Sequence, residues 1–495
     1  MSLPPVGLFL DGVHGETAGR ATISVRDPAD ASEVGSVVSA SAADAHAAME
    51  SAERAQPAWE ALGGAARARI LVRAGEILSS QREELARLIT REMGKVLPES
   101  RSEVDGAIDN FAYYAAFART LSGEEVALLP RGHALRLLWL PRGVVVGLTP
   151  WNFPAATVTR KIAPALLGGN TMVLKPSSAT PLTSLFIADA LGRAGLPPGV
   201  LNVLPGPGAV VGPALLGHPA CSTVTLTGST ESGIEVMRLA APGLVKCLLE
   251  LGGKAPVIVA ADADLDWAAR STVWARFWNA GQSCIAAERT YVHAAVAAEF
   301  LRRVTALVRT LRVGPGLGGG VDMGPLYRLD AREEVSARVE RAVTAGAHLE
   351  VGGTPLREGE LARGAFYAPT VLSEVNEGNA IAREEVFGPV LPVLTFEEYD
   401  DVFRRANDSR YGLSSYLFTR DAALAERAQR EIRFGETYIN RVGPETPQGY
   451  HAGFRASGLG GEGSRYGVQD YLQLKTVYVD WNEPHDGGSY FPYPD

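Results

Sequence analysis

Five short stretches of this chain carry residues suited to chemistry. Cys284 sits in Asn279-Ala-Gly-Gln-Ser-Cys284, after a Gly-containing turn that follows a long helical stretch. A loop thiol flanked by polar residues can be reached by a substrate, so a nucleophile and a small buried residue stand equally open here. Cys221 and Cys247 lie in apolar segments and read as small core residues. Glu250 closes the apolar run Val245-Lys-Cys-Leu-Leu-Glu250 and precedes Leu-Gly-Gly-Lys254. Desolvation would raise its pKa and make it a usable base near neutrality, and a strand-end ion pair with a lysine is the equal alternative. Asn152, in Thr149-Pro-Trp-Asn-Phe-Pro154, could donate to a developing oxyanion or simply form a turn beside proline. Lys175 ends a strand at Lys-Pro-Ser-Ser178, where an ammonium could meet a ribose or phosphate, or only water. Thr227-Gly-Ser-Thr230 opens a helix after a strand and could hold a pyrophosphate on its amides, although a plain helix cap is the simpler reading.

These residues need a frame. Periodicity predicts helices over Ala42–Trp59, Ala65–Met93 and Pro98–Leu121. The pattern then changes. Gly143–Thr149, Thr171–Lys175, Leu201–Leu204 and Thr223–Thr227 read as strands. Thr157–Leu167, Leu182–Ala194, Val210–Leu216 and Glu231–Ala240 read as the helices between and after them. That alternation implies right-handed crossovers and a parallel sheet covered on both faces. Ligands of such sheets lie beyond the carboxyl ends of the strands, which points to Thr149–Pro154, Lys175–Thr180 and Thr227–Thr230. A second alternating segment begins at Pro256–Ala260 and runs to about Phe454, with a helix at Leu265–Phe277 and strands near Thr290–Val292, Val390–Phe396 and Tyr416–Phe418. No linker separates the halves, which implies two lobes packed across a cleft. The tail Tyr471–Asp480 alternates like an edge strand and would need cover, which a second subunit could supply.

Composition bounds the possibilities. The chain has 495 residues, enough for two or three lobes. Hydrophobic residues make up 46% and charged residues 21%, and the net charge of −9 disfavours nucleic acid or an anionic membrane as a partner. Apolar runs fall short of the roughly 20 residues a membrane span needs. Met1–Pro5 has no basic region ahead of an apolar one, so no secretion signal is expected. Three cysteines build no disulfide framework, and neither a C-x-x-C pair nor an H-E-x-x-H helix suggests a metal. The expectation is a cytoplasmic protein with reduced thiols.

Taken together and in order, the motifs carry a specific likeness. Pro150-Trp-Asn-Phe-Pro154, Leu174-Lys-Pro-Ser177, Leu226-Thr-Gly-Ser-Thr230, Leu249-Glu-Leu-Gly-Gly-Lys254, Gly281-Gln-Ser-Cys284, Glu384-Glu-Val-Phe-Gly-Pro389 and Ala456-Ser-Gly-Leu-Gly460 run along essentially the whole chain. In this the chain resembles the aldehyde dehydrogenase superfamily. The resemblance implies an α/β fold: a Rossmann-like parallel-sheet cofactor domain (1–120 and 143–251), an α/β catalytic domain (252–454), and a small β oligomerisation flap and tail (121–142 and 455–495). It implies that Cys284 is the nucleophile, that the Asn152 side chain and the Cys284 N–H hold the oxyanion, and that Glu250 activates the hydrolytic water. Relatives that pass the acyl group to coenzyme A generally lack this carboxylate, so a free acid is the implied product. Lens proteins of the superfamily offer a non-catalytic reading, which the joint presence of Cys284, Glu250 and Asn152 opposes. Lys175 and Glu385 match residues that hold the two riboses of NAD or NADP. Trp151, Gly208, Gly228, Ser229 and Phe387 match further cofactor contacts. Many NAD-preferring relatives carry Glu where this chain has Ser178, which can donate to a 2′-phosphate, so NADP is expected to be accepted.

For the aldehyde, two subfamilies are similar. Gly435-Glu-Thr-Tyr-Ile-Asn440 and Gln448-Gly-Tyr-His-Ala-Gly453 resemble lactaldehyde and glycolaldehyde dehydrogenases, whose acid-contacting Arg, Glu and His fall at Arg160, Glu445 and His451. Pro154–Lys161, Lys175–Ser178 and Gly463–Gly467 resemble succinate semialdehyde dehydrogenases, which use two arginines. The first matches Arg160, but the second falls at Trp278, and losing one charged partner should cost about 1.5–3 kcal/mol of binding. Ala155, Ala156, Ile285, Phe277 and Trp278 depart from the lactaldehyde pattern and imply a pocket reshaped toward a larger, more apolar or aromatic aldehyde. The flap and tail imply a homodimer or a dimer of dimers.

Overall fold

The computed structural model describes residues 5–481 apart from 127, 128 and 130. The leader reading of Met1–Pro5 therefore falls almost wholly outside the described residues, as does the tail from 482 onward.

β-Branched runs build the first sheet. Its centre is five parallel strands in the spatial order Lys246–Glu250, Cys221–Thr227, Val144–Leu148, Thr171–Lys175, Leu201–Val203. Gly458–Leu459 adds an antiparallel edge at one side, and Phe9–Leu10 with Val13–His14 closes the other. Alternate residues serve opposite faces. Val144 and Val146 pack into one apolar cluster, while Val145, Met172 and Leu174 pack into another. Both faces are thus dry, as a parallel sheet requires. The chain order reverses direction at Val144–Leu148, whose neighbours on its two sides are Thr171–Lys175 and Cys221–Thr227. A crevice opens at such a reversal beyond the strand ends. Register makes this edge level: Leu148 pairs with Lys175 and Leu226, and Thr227 pairs with Glu250.

The second sheet has seven strands, ordered His348–Val351, Thr370–Ser373, Val390–Phe396, Ala287–His293, Ala255–Val259, Ser414–Phe418, Glu436–Ile439. All neighbours are parallel except the first pair. Cys284, Glu385 and Tyr411 lie just before strands of this sheet, so it offers its amino edge where the first sheet offers its carboxyl edge. The turn Leu251–Lys254 passes directly from one edge to the other. Beneath it, Lys254 and Arg276 flank Glu288, all three buried, and hold the Glu288 carboxyl down at about 2.

The helical readings need two corrections. Ala65–Met93 is two helices, Gly64–Ser80 and Arg82–Met93. Gln81 breaks them, leaving helical dihedrals at φ −110°, ψ 17°. Glu83 and Glu84 then favour a new N-terminus at that point. Pro98–Leu121 ends as an α-helix at Ala116 and tightens into a 3₁₀ turn over Phe117–Arg119. The tail strand, Leu472–Asp480, is antiparallel to His133–Pro141 of its own chain over nine residue pairs, so one edge is satisfied without a second subunit. No helix among the described residues is long and apolar enough to cross a membrane.

Candidate active site

The loop carrying Cys284 is held in an unusual shape. After the helix Leu265–Phe277, Asn279, Ala280 and Gly281 all take left-handed backbone conformations, at φ 53°, 52° and 74°. Such strain persists only where neighbours over-determine it. Here they do. A Cβ on Gly281 would lie 2.3 Å from the Gly388 carbonyl. Asn279 Nδ2 donates to the carbonyls of Asn152 and Gln282, each at 3.1 Å, and Asn152 Nδ2 donates to the same Gln282 carbonyl at 3.1 Å. The Asn152 amide is thereby tied beside the thiol loop, with its second proton left to donate elsewhere.

A buried ion pair secures the Asn152 side. Lys95 Nζ donates to Glu103 at 2.5 Å and to the Asn152 carbonyl at 2.8 Å. The other Glu103 oxygen accepts from the Ala155 and Ala156 amides at the start of the helix Ala156–Leu167. Glu99, from the same helix as Glu103, accepts from the Asn279 amide, and burial pushes its carboxyl up to about 7. Lys95→Met should therefore lower stability by about 3 kcal/mol, since it leaves Glu103 buried and uncompensated. The readout is a lower urea midpoint at unchanged m-value, and an unmoved midpoint would show the pair to be inert.

Cys284 itself is half-buried. Burial pushes its thiol up, against a hydrogen bond from His451 that draws it down. Glu250 is 4% exposed, and neither of its carboxylate oxygens has a hydrogen-bond partner among the described residues. Burial lifts its pKa well above the carboxylate range, opposed chiefly by His451. The strand-end lysine pair for Glu250 does not form: Lys161 binds Glu462 instead, and Lys254 binds Glu288.

Two cavities meet at Cys284. One, of about 590 Å³, is walled by Trp151, Gly228, Ser229, Glu385 and Phe387. The other, of about 320 Å³, is walled by Arg160, Trp278, Ile285, Glu445 and His451. Asn152 and Thr227 border both, and Glu250 faces the second. The wall of the larger cleft does not include Lys175, Ser178 or Gly208, which gather near one another: a Cβ on Gly208 would stand 4.0 Å from Lys175 Cε, and Ser178 Oγ donates to the Gly206 carbonyl.

The larger cleft fits a dinucleotide. Ser229 caps the helix Thr230–Ala240 through the Ser232 amide and lines the cleft with Gly228 and Glu231, so the positive end of the helix dipole lies at the cleft wall, where a pyrophosphate could bind. Burial draws the Lys175 ammonium down to about 8, and among the described residues it donates to the carbonyl of Pro176. Glu385 accepts from the Gly253 amide and lies so close over Gly252 that a Cβ there would meet it at 2.5 Å. Burial pushes that carboxyl up to about 8, and its position suits the hydroxyls of a ribose.

In the smaller pocket Arg160 is already engaged. It pairs with Glu445 at 2.5 Å and reaches Glu462 at 3.9 Å, and it holds the Glu445 carboxyl down at about 2. Trp278 stacks between Phe153 and Trp274, giving one apolar wall. Asp105 and Asp109 border the opening.

Several site residues escaped sequence reasoning. Tyr327 lies flat on Trp151, ring centroids 3.6 Å apart, and its amide donates to the Gln282 side chain. It comes from an irregular loop with no periodic signal. Glu436 binds His451, and Glu462 binds Lys161. Glu436 stands inside the stretch Gly435–Asn440, but nothing in that stretch names its partner.

The chain belongs to the aldehyde dehydrogenase family, whose family model matches residues 15–477, and it is an NAD(P)-dependent oxidoreductase acting on aldehydes. Over 476 residues it is 43% identical to a D-glyceraldehyde dehydrogenase (NADP(+)) of Thermoplasma acidophilum, covering 96% of each chain. It is 38% identical to an Escherichia coli succinate-semialdehyde dehydrogenase [NADP(+)], again over 96% of each. The crystal structure of lactaldehyde dehydrogenase from Escherichia coli superposes with a TM-score of 0.93 at 40% identity, over 96% of this chain and 99% of that one.

Proposed function

We propose that this enzyme oxidises a small neutral hydroxyaldehyde, of the glyceraldehyde or lactaldehyde kind, to its free acid with NADP or NAD, through a thioester on Cys284. The observation that carries the reading is the meeting of two cavities at one thiol, with an amide donor beside it and a buried carboxylate that accepts no hydrogen bond among the described residues.

Cys284, as thiolate, attacks the aldehyde carbon, and the carbonyl pair moves onto oxygen. Asn152 Nδ2 and the Cys284 amide donate to that oxyanion. A nicotinamide dinucleotide, when bound, would accept the hydride from that carbon as the oxyanion pair re-forms the carbonyl, leaving the acyl group on sulfur as a thioester. Glu250 then takes a proton from water as the water adds to the thioester, and Cys284 departs as thiolate with the carboxylic acid formed. Trp151, Glu385 and Phe387 would hold the nicotinamide half, Gly228 and Ser229 the pyrophosphate, and Lys175, Ser178 and Gly208 the adenosine half. In this reading residues 1–120 and 143–251 bind the cofactor and 252–454 carry the nucleophile. Segments 121–142 and 455–495 join subunits into a dimer or tetramer, supported by Leu474, Tyr478 and Trp481 standing exposed on and just beyond the tail strand.

Charge supports a neutral substrate. Arg160 is neutralised by Glu445, the second arginine position is Trp278, and of the two aspartates on the wall Asp105 is paired with Arg82, which leaves Asp109 as negative charge. Glu445, Arg160 and His451 instead offer acceptors and donors to hydroxyl groups, while Ile285 and Trp278 limit size. The test is kcat/KM for glyceraldehyde, lactaldehyde, succinate semialdehyde and benzaldehyde with each cofactor. The hydroxyaldehydes should exceed succinate semialdehyde by at least about tenfold, the value of one missing charged hydrogen bond. NADP should serve at least as well as NAD. Faster turnover of succinate semialdehyde would overturn the substrate assignment.

A further inference from the structure

Glu436 opens the last strand of the second sheet, and its side chain, 11% exposed, turns to His451 of the substrate pocket. Both its oxygens are occupied. One meets His451 Nδ1 at 3.0 Å, and the other accepts from Ser414 Oγ at 2.8 Å and Tyr438 Oη at 3.0 Å. The carboxylate therefore cannot swing away, and it fixes the orientation of the imidazole. The opposite ring nitrogen, Nε2, stands 3.7 Å from Glu250 Oε2. Within 4 Å no other cationic group pairs with Glu250 among the described residues.

We propose that Glu436 is a positioning residue for the reacting groups: through Nδ1 it holds His451 so that Nε2 faces the Glu250 carboxylate and the imidazolium presents one positive charge to the pocket it shares with Glu250 and the Cys284 thiol. This rests on the roles assigned above to Cys284 and Glu250, and it goes beyond a substrate contact for His451, because the imidazole acts before any aldehyde arrives.

The electrostatic setting agrees. Carboxylates face His451 from three segments: Glu250 from the first sheet, Glu436 from the second, and Glu445 from the loop between Glu436 and His451. Cys284 shares the pocket wall with it, near enough for each to shift the other's proton affinity. Burial alone would neutralise the ring, but Glu436 and Glu445 outweigh it and hold the imidazole protonated well above its usual range. Arg160 and Lys161 also act on Glu250, but each is bound to its own carboxylate, Glu445 and Glu462, and Glu462 opposes them. Without the His451 cation, Glu250 and Cys284 would both hold their protons to higher pH.

The test is the pH dependence of iodoacetamide alkylation at Cys284 in the full-length enzyme, read on the Cys284 peptide by mass spectrometry, beside the acid limb of kcat. Glu436→Gln should move both midpoints upward by about one pH unit, the effect of losing a nearby opposite charge. Glu436→Asp should restore much of each. His451→Gln should produce the same upward movement and serves if Glu436→Gln does not fold. Midpoints that superpose on wild type in a folded Glu436→Gln or His451→Gln protein overturn the proposal. An active Cys284→Ala enzyme would sink the underlying mechanism, whereas an inactive one with unmoved Glu436→Gln curves sinks this inference alone.

Discussion

Replacing Cys284 with Ala should lower kcat/KM by on the order of 10⁴-fold or more, with the fold intact. A nucleophile acts as a unit with its base and oxyanion donors, so removing it forfeits nearly everything they contribute. No other thiol can stand in. Cys221 and Cys247 lie on neighbouring strands of the first sheet, and burial pushes both thiols up, Cys221 to about 12. The substitution removes one sulfur from a half-buried position and leaves the hydrogen bonds among Asn152, Asn279 and Gln282 in place. Thermal melts and cofactor titration should therefore match wild type while reduced cofactor ceases to appear. Substantial steady-state oxidation by the Ala enzyme would rule out the thioester route.

Glu250→Gln should separate the two halves of the reaction. Acylation needs the thiolate and the oxyanion donors, and hydrolysis needs a base. The variant should yield a burst of reduced cofactor close to one equivalent per active site, then turn over roughly 10³-fold more slowly, within the range for loss of a general base. The pH dependence should change with it. Burial holds the Glu250 carboxyl well above its ordinary range, so in wild type the ionised base increases, and with it deacylation, as pH rises through that raised value. Glutamine has no proton to lose, so the limb should flatten. Rapid-quench and stopped-flow traces over pH would show this. An unchanged steady-state rate, or loss of the burst with no acyl-enzyme by mass spectrometry, would place the base elsewhere.

Legibility in the sequence followed the range of the interactions. The strand Thr171–Lys175 and the helix Leu265–Phe277 were readable to the residue because their signals, β-branched alternation and a 3.6-residue period, lie within the segment. The break at Gln81 was not, because apolar periodicity continues across it and the stop is marked by the non-helical backbone dihedrals of Gln81. Trp151, Glu385 and Phe387 were legible from their motifs, and the cavity wall gathers them. Tyr327 was not legible, because its partner Trp151 is supplied by a distant loop.

By itself the sequence determined the period of each element, the switch to alternating strands and helices, and the residue types able to attack, donate and accept protons. These depend on neighbours a few positions away. Only the tertiary structure decided that Asn152 reaches a carbonyl 130 positions on, that Arg160 is spent on Glu445 at a separation of 285, and that Lys161 serves Glu462 and leaves Glu250 to face His451 without a hydrogen bond among the described residues. Charge pairing in a buried site is a competition among all groups the fold brings within a few ångströms, and its winner is set by packing of the two sheet edges, which no local pattern encodes.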